Sequence, residues 1–119
     1  MRILAVAALA AGLSLPGATP AVAFERITSV QEFAQTVVGR ELTRFGITLQ
    51  VTPDGAIQGR GFGRPVSGEW RWENGLFCRD MDWGSTDIGY NCQAVLRDGN
   101  RVRFIADQGQ GDSADFRLR

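Results

Sequence analysis

The chain has 119 residues, with 13 arginines balanced by 13 acidic side chains and with neither histidine nor lysine. Lacking those two residue types, it cannot supply an imidazole base or metal ligand, a Schiff-base amine, or a Ser-His or Cys-His pair. The arginines form no block of the kind that tracks a phosphate backbone, so nucleic acid is not an expected partner.

The chain opens on Met1-Arg2, an apolar run from Ile3 to Leu15, a Pro16-Gly17 break and an Ala21-Val22-Ala23 ending. One positive charge, a short apolar core and an Ala-x-Ala end read as a secretory signal peptide over residues 1–23, cleaved after Ala23. The expected destination is periplasmic or extracellular. The apolar run is too short to cross about 30 Å of hydrocarbon at about 1.5 Å per helical residue, so no stable membrane insertion is expected once the leader is gone. Residues 24–119 then make a single disulfide-stapled β domain with one modest core, carrying 12 arginines against 13 acids.

The exported segment begins with one helix. Ser29 precedes Glu32 by three residues, the spacing of a capping box, and Val30, Phe33, Ala34, Val37 and Val38 fall at helical intervals along one stripe. Gly39 is placed to end it. The period then changes to two. Runs over 42–45, 47–52, 56–62, 66–73, 76–83, 90–97, 101–107 and 114–118 read as short strands separated by Gly, Asp, Asn and Pro. The fold class is therefore mainly β (α+β): an amphipathic helix, then an antiparallel meander of seven or eight strands forming a small barrel-like or strongly curved sheet. Gly59 to Pro65 reads as a small-residue strand that bends or admits close packing, and Gln108 to Asp115 as a flexible polar loop.

Pro53-Asp54-Gly55, Glu73-Asn74-Gly75 and Asp98-Gly99-Asn100 each fit a three-residue hairpin loop. These loops pair Val51 with Ile57, Trp72 with Leu76, Trp70 with Cys78, and Leu96 with Val102. The apolar pairs then share one face, and Arg71, Arg79 and Arg103 take the other. Cys78 and Cys92, the only cysteines, are centred on residue 85, so a hairpin there sets them opposite each other and Asp80 opposite Tyr90. In an oxidising space they read as an inward-facing cross-strand disulfide. A reactive or metal-binding pair is the rival reading, but two thiols without histidine make a poor zinc site. No cofactor is expected.

On that register Trp70, Trp72, Cys78, Asp80 and Asp82 share the apolar side. A carboxylate there needs a hydrogen bond, an arginine or access to water. Asp80 either holds turn amides or Tyr90 at a strand end, or belongs to a ligand pocket walled by Trp70 and Trp72, with polar groups from Asp80, Asp82 and Tyr90. Asp80-x-Asp82-x-Gly84 starts like a calcium loop but has Gly84 and Asn91 where further ligands are needed, so no metal is expected.

Leu42-Thr43-Arg44-Phe45-Gly46, Val51-Thr52-Pro53-Asp54-Gly55, Phe62 to Trp72, Phe77-Cys78-Arg79-Asp80 and Asn91 to Val95 resemble a family of small exported Gram-negative bacterial proteins of uncharacterised function. The resemblance covers nearly all of residues 24–119, and some members carry the name dihydrodipicolinate reductase. Enzymes of that name have a Rossmann domain, a Gly-x-Gly-x-x-Gly turn and a catalytic motif with His and Lys, none of which this sequence contains. The function expected is a non-catalytic exported β-domain that binds a small molecule or an envelope or other protein partner. The alternative is a minimal enzyme using Asp80 and Asp82 as a carboxylate pair, about 6.5–7 Å apart at Cα.

Overall fold

The computed structural model describes residues 23–119. The predicted leader lies outside the described residues apart from Ala23. The first element is β1 (Glu25–Ile27), a three-residue strand that the sequence reading missed. It is followed by α1 (Val30–Thr36), where the Ser29 side chain accepts from the Glu32 amide at 3.1 Å, as the capping-box spacing predicts. The buried face is narrower than the predicted stripe. Phe33, Thr36 and Val37 are buried, whereas Val30 and Ala34 are exposed.

Eight strands come next: β2 (Glu41–Arg44), β3 (Ile47–Val51), β4 (Ala56–Gly61), β5 (Arg64–Glu73), β6 (Leu76–Trp83), β7 (Thr86–Asp98), β8 (Arg101–Ile105) and β9 (Ser113–Leu118). Each pairs antiparallel with its neighbour in sequence, and β9 returns to β2, so the sheet closes into an eight-stranded barrel. β1 is an extra strand laid on β7. Closure brings backbones into close approach at two glycines. A Cβ on Gly59 would collide with the Thr48 carbonyl of β3, and one on Gly68 with the Asp80 carbonyl of β6. Any side chain at either position would hold neighbouring strands apart.

Two of the three hairpin readings are corrected. Val51 does face Ile57. The second hairpin, however, turns on two residues, Asn74 and Gly75, both in left-handed backbone at φ 52° and 77°. It sets Trp72 opposite Phe77 and Arg71 opposite Cys78. The third turns on Gly99-Asn100, with Asp98 opposite Arg101 and Val95 opposite Phe104. Two-residue turns with left-handed residues carry the same twist as the strands they join. A one-residue change of register exchanges the two faces of a strand. Phe77, Arg79, Met81 and Trp83 therefore face the barrel interior, and Cys78, Asp80 and Asp82 face outward. Cys78 and Cys92 are directly opposed and form the disulfide, with Cα atoms 3.9 Å apart, but on the outer face.

The floor of the barrel is aromatic. Phe33 of α1 has its ring 5.4 Å from that of Trp70, 5.1 Å from Trp72 and 5.2 Å from Phe77. These strand residues flank the β5–β6 turn, so α1 stoppers that end. The Gly39 amide, donating to the Val51 carbonyl at 3.0 Å, ties the chain leaving α1 to β3. Along β3, Ile47, Leu49 and Val51 point inward while Thr48 is exposed, the reverse of a transmembrane barrel. Among the described residues no helix is long and apolar enough to cross a membrane.

The β8–β9 connection contains a single helical turn, α2 (Ala106–Gly109), in which Asp107 and Gln108 take left-handed backbone. It is tied down rather than loose. Ala106 donates to the Asp112 carbonyl at 2.8 Å. Asn91 of β7 clasps Asp107 twice, its amide donating to Oδ1 at 2.8 Å and its own Oδ1 accepting from the Asp107 amide at 2.9 Å.

Candidate ligand cavity inside the barrel

The inward series of β6 runs from floor to rim as Phe77, Arg79, Met81 and Trp83. Above the Phe33 floor it borders two cavities of about 280 and 250 Å³, both partly open to solvent, the first also edged by the exposed Asp112 and Ser113. Leu49, Met81 and Phe116 are walls of both, so the two spaces lie in series along the barrel. The deeper one is bounded further by Phe77, Arg79, Gln93 and Phe104. The outer one is bounded by Val66, Phe62, Trp83 and Ile88. The lining is dominated by apolar side chains with a few polar groups, the usual makeup of a small-molecule site.

The outer cavity meets the surface at an aromatic rim. Phe45, Phe62 and Ile88 are 90, 60 and 44 % exposed. Phe62 holds a left-handed backbone, φ 49°, a conformation that an aromatic side chain disfavours. It is kept there by its amide, which donates to the Gly46 carbonyl at 2.7 Å, and by its neighbours Phe45 and Trp83, whose rings lie 6.3 and 6.5 Å away. The Trp83 indole donates to the Gly61 carbonyl at 2.7 Å, and the Arg64 guanidinium sits 4.3 Å over its ring. Strained backbone presenting an exposed aromatic cluster is the pattern of a binding edge rather than of a core.

Among the described residues Arg79 is the one arginine that lines the deeper cavity. It is half-buried, and its Nη1 donates to the Gly89 carbonyl at 2.8 Å. Burial lowers its pKa from the usual arginine value, with nearby Asp80 opposing the shift, and a guanidinium stays charged under such a change. The ion pairs among the described residues are Arg71 with Glu73 and Asp115 with Arg101 and Arg103; none involves Arg79.

The five residues singled out from the sequence do not assemble into one pocket. Trp70 and Trp72 belong to the floor around Phe33, where the Trp70 indole donates to the Thr52 carbonyl at 2.9 Å. Asp80, Asp82 and Tyr90 are exposed on the outer face. Trp70, Asp80 and Tyr90 do border one outer groove together with Glu69 and Arg71, while Asp82 borders a second with Ser67, Asp80 and Asp87. Tyr90 lies over the disulfide. Its hydroxyl is 3.3 Å from Cys92 Sγ and accepts from Arg71 Nη2 at 3.2 Å. Asp80 and Asp82, with Glu69 and Asp87, form a solvated acidic face. Among the described residues no group of His, Cys, Asp and Glu is arranged to hold a metal ion.

The sequence reading missed Phe62, Arg79, Met81 and Gln93 as site residues. The available signal was the cost of its own register, which turned two carboxylates inward where the alternative turns in one arginine.

These features define a class of structure: a small closed antiparallel barrel, stoppered by a helix at one end and hollow toward an aromatic rim at the other. No protein-family model, curated protein or solved structure matches the chain.

Proposed function

We propose that residues 24–119 form an exported, non-catalytic binding domain that holds a small, largely apolar molecule inside the barrel. The observation that carries this reading is the pair of apolar cavities that meet at Leu49, Met81 and Phe116. Protein cores fill space to crystal density, and space left beside apolar side chains lowers stability. A barrel of this size that keeps such space open toward a strained aromatic rim is shaped for an occupant. Export is supported by the leader-like N-terminus and by a disulfide, which persists in oxidising compartments. On this reading Asp80 and Asp82 are solvating charges of the outer face and take no part in chemistry.

The test is a fluorescence titration of the exported segment with N-phenyl-1-naphthylamine, a neutral apolar dye. The expected result is a saturable rise in emission that Met81→Trp, filling the junction of the two cavities, abolishes and that Asp80→Asn leaves unchanged. Circular dichroism confirms that both variants fold. No saturable rise, or a rise lost in Asp80→Asn and kept in Met81→Trp, contradicts the proposal.

A further inference from the structure

Just above the aromatic floor the deeper cavity carries the Arg79 guanidinium, which feels the charge of Asp80 on the outer face but makes no ion pair among the described residues. A guanidinium has five N–H donors in a planar fork, suited to two oxygens of one anion. Arg79 spends one donor on the Gly89 carbonyl and pairs with no carboxylate within 4 Å among the described residues. A half-buried charge without a partner is costly to keep. It is also fixed in place. Arg79 sits opposite Asn91 in the ladder, one inward position above Phe77, whose partner across the ladder, Gln93, borders the same cavity with an amide able to donate.

We propose, resting on the reading of the barrel as a ligand carrier, that the ligand is an amphipathic monoanion whose carboxylate or sulfate head lies on Arg79 and Gln93 and whose slender apolar chain points toward the rim. Trp83 lies four residue steps beyond Arg79 on the same strand, about 13 Å at about 3.3 Å per residue, the reach of a medium-length acyl chain. That path passes Met81, Leu49 and Phe116, the walls shared by both cavities, and ends between Phe62 and Ile88. Asp112 borders the deeper cavity from the β8–β9 connection and is exposed. Its carboxylate repels a second negative charge and so favours a head of single charge over a dianion.

Displacement of the neutral dye separates this inference from the reading on which it rests. Decanoate and decyl sulfate are compared with decanol and decyltrimethylammonium as competitors, on the wild type, Arg79→Gln and Arg79→Lys. In the wild type the two anions are expected to compete at least about tenfold better than decanol, with the cation weakest, since a charge-assisted hydrogen bond replaces a solvated one. Arg79→Gln is expected to erase the preference while leaving decanol within about twofold, and Arg79→Lys to retain part of it. Dye binding with equal competition by decanoate and decanol, or an anion preference that survives Arg79→Gln, overturns the assignment of the head group and leaves the carrier reading standing. A failure of the dye to bind at all overturns both.

Discussion

The rings of Phe33 and Phe77 lie 5.2 Å apart across the contact between α1 and β6, and both residues are buried. Phe33 is the largest of the side chains that hold this two-turn helix against the barrel, with Thr36 and Val37 buried beside it and Val30 and Ala34 exposed. Phe33→Ala is expected to cost about 3–5 kcal/mol, the range for truncating a buried aromatic, and to detach α1 from the floor. Urea unfolding gives the first quantity and amide hydrogen exchange in residues 30–36 the second. A loss below about 1 kcal/mol would mean that α1 is not the stopper.

The disulfide is shielded by Tyr90 rather than by the core. Cys78 is 1 % exposed although it sits on the outer face, with the Tyr90 hydroxyl against Cys92 Sγ and Arg71 opposite Cys78 in the ladder. Replacing both cysteines with alanine is expected to lower stability by about 3 kcal/mol, the loop-closure value for a loop of this size. Tyr90→Ala keeps the bond but uncovers it, so native-state reduction by dithiothreitol, followed by mass-tagging of freed thiols, is expected to quicken. An unchanged rate would show that reduction proceeds only through global unfolding.

Asp115 of β9 accepts from Arg103 at 2.7 and 3.0 Å and lies 3.8 Å from Arg101. The hydrogen bonds from Arg103 hold its pKa below the ordinary carboxylate value, against a smaller upward effect of burial. A depressed folded-state pKa contributes stability that is present above the unfolded value and is lost as pH falls through the folded one. The acid limb of the stability curve is therefore expected to be shallower in Asp115→Asn, below the ordinary aspartate range, with neutral pH giving the wild type its advantage. Partial exposure of the pair keeps the effect modest and sensitive to salt. Identical acid limbs in thermal scans would contradict the assignment.

Phe62 is placed where a two-residue turn prefers asparagine, since both central residues of the Phe62-Gly63 turn are left-handed. Phe62→Asn is expected to raise stability by up to about 1 kcal/mol through relief of strain while weakening dye binding at the rim. Thermal melting and the dye titration read the two changes. A variant that is both less stable and equally tight in binding would remove the rim from the account.

Much of this architecture is legible in the sequence, and the limits have a single physical source. The eight strands of the barrel follow from alternation and from turn residues, and Ser29 caps α1 as its spacing to Glu32 implies. The opposition of Cys78 and Cys92, and of Asp80 and Tyr90, follows from a hairpin centred between the cysteines, and the structure has it. What alternation does not settle is which face of a strand is inside when its apolar residues fall on both. β6 reads Leu76, Cys78 on one face and Phe77, Met81, Trp83 on the other, and the choice rests on one residue of turn length. The inward disulfide and the Trp-Asp-Tyr pocket both depended on treating Cys78 as core, and both move when Asn74-Gly75 closes the turn alone. β1 escaped because three residues are too few to show a period. Arg79 escaped because an arginine among apolar neighbours reads as surface until the register turns it inward.

The central claim, that the barrel interior is the binding site, is tested most directly by chemical-shift mapping. The ¹⁵N and methyl resonances of residues 24–119 would be followed as N-phenyl-1-naphthylamine is added. The account predicts shifts at Leu49, Met81 and Phe116 and at the rim residues Phe62 and Ile88, with Asp80, Asp82 and Tyr90 unmoved. Shifts concentrated on Glu69, Asp80 and Tyr90, with the interior methyls of Leu49 and Met81 unchanged, would place the site on the outer groove and contradict it.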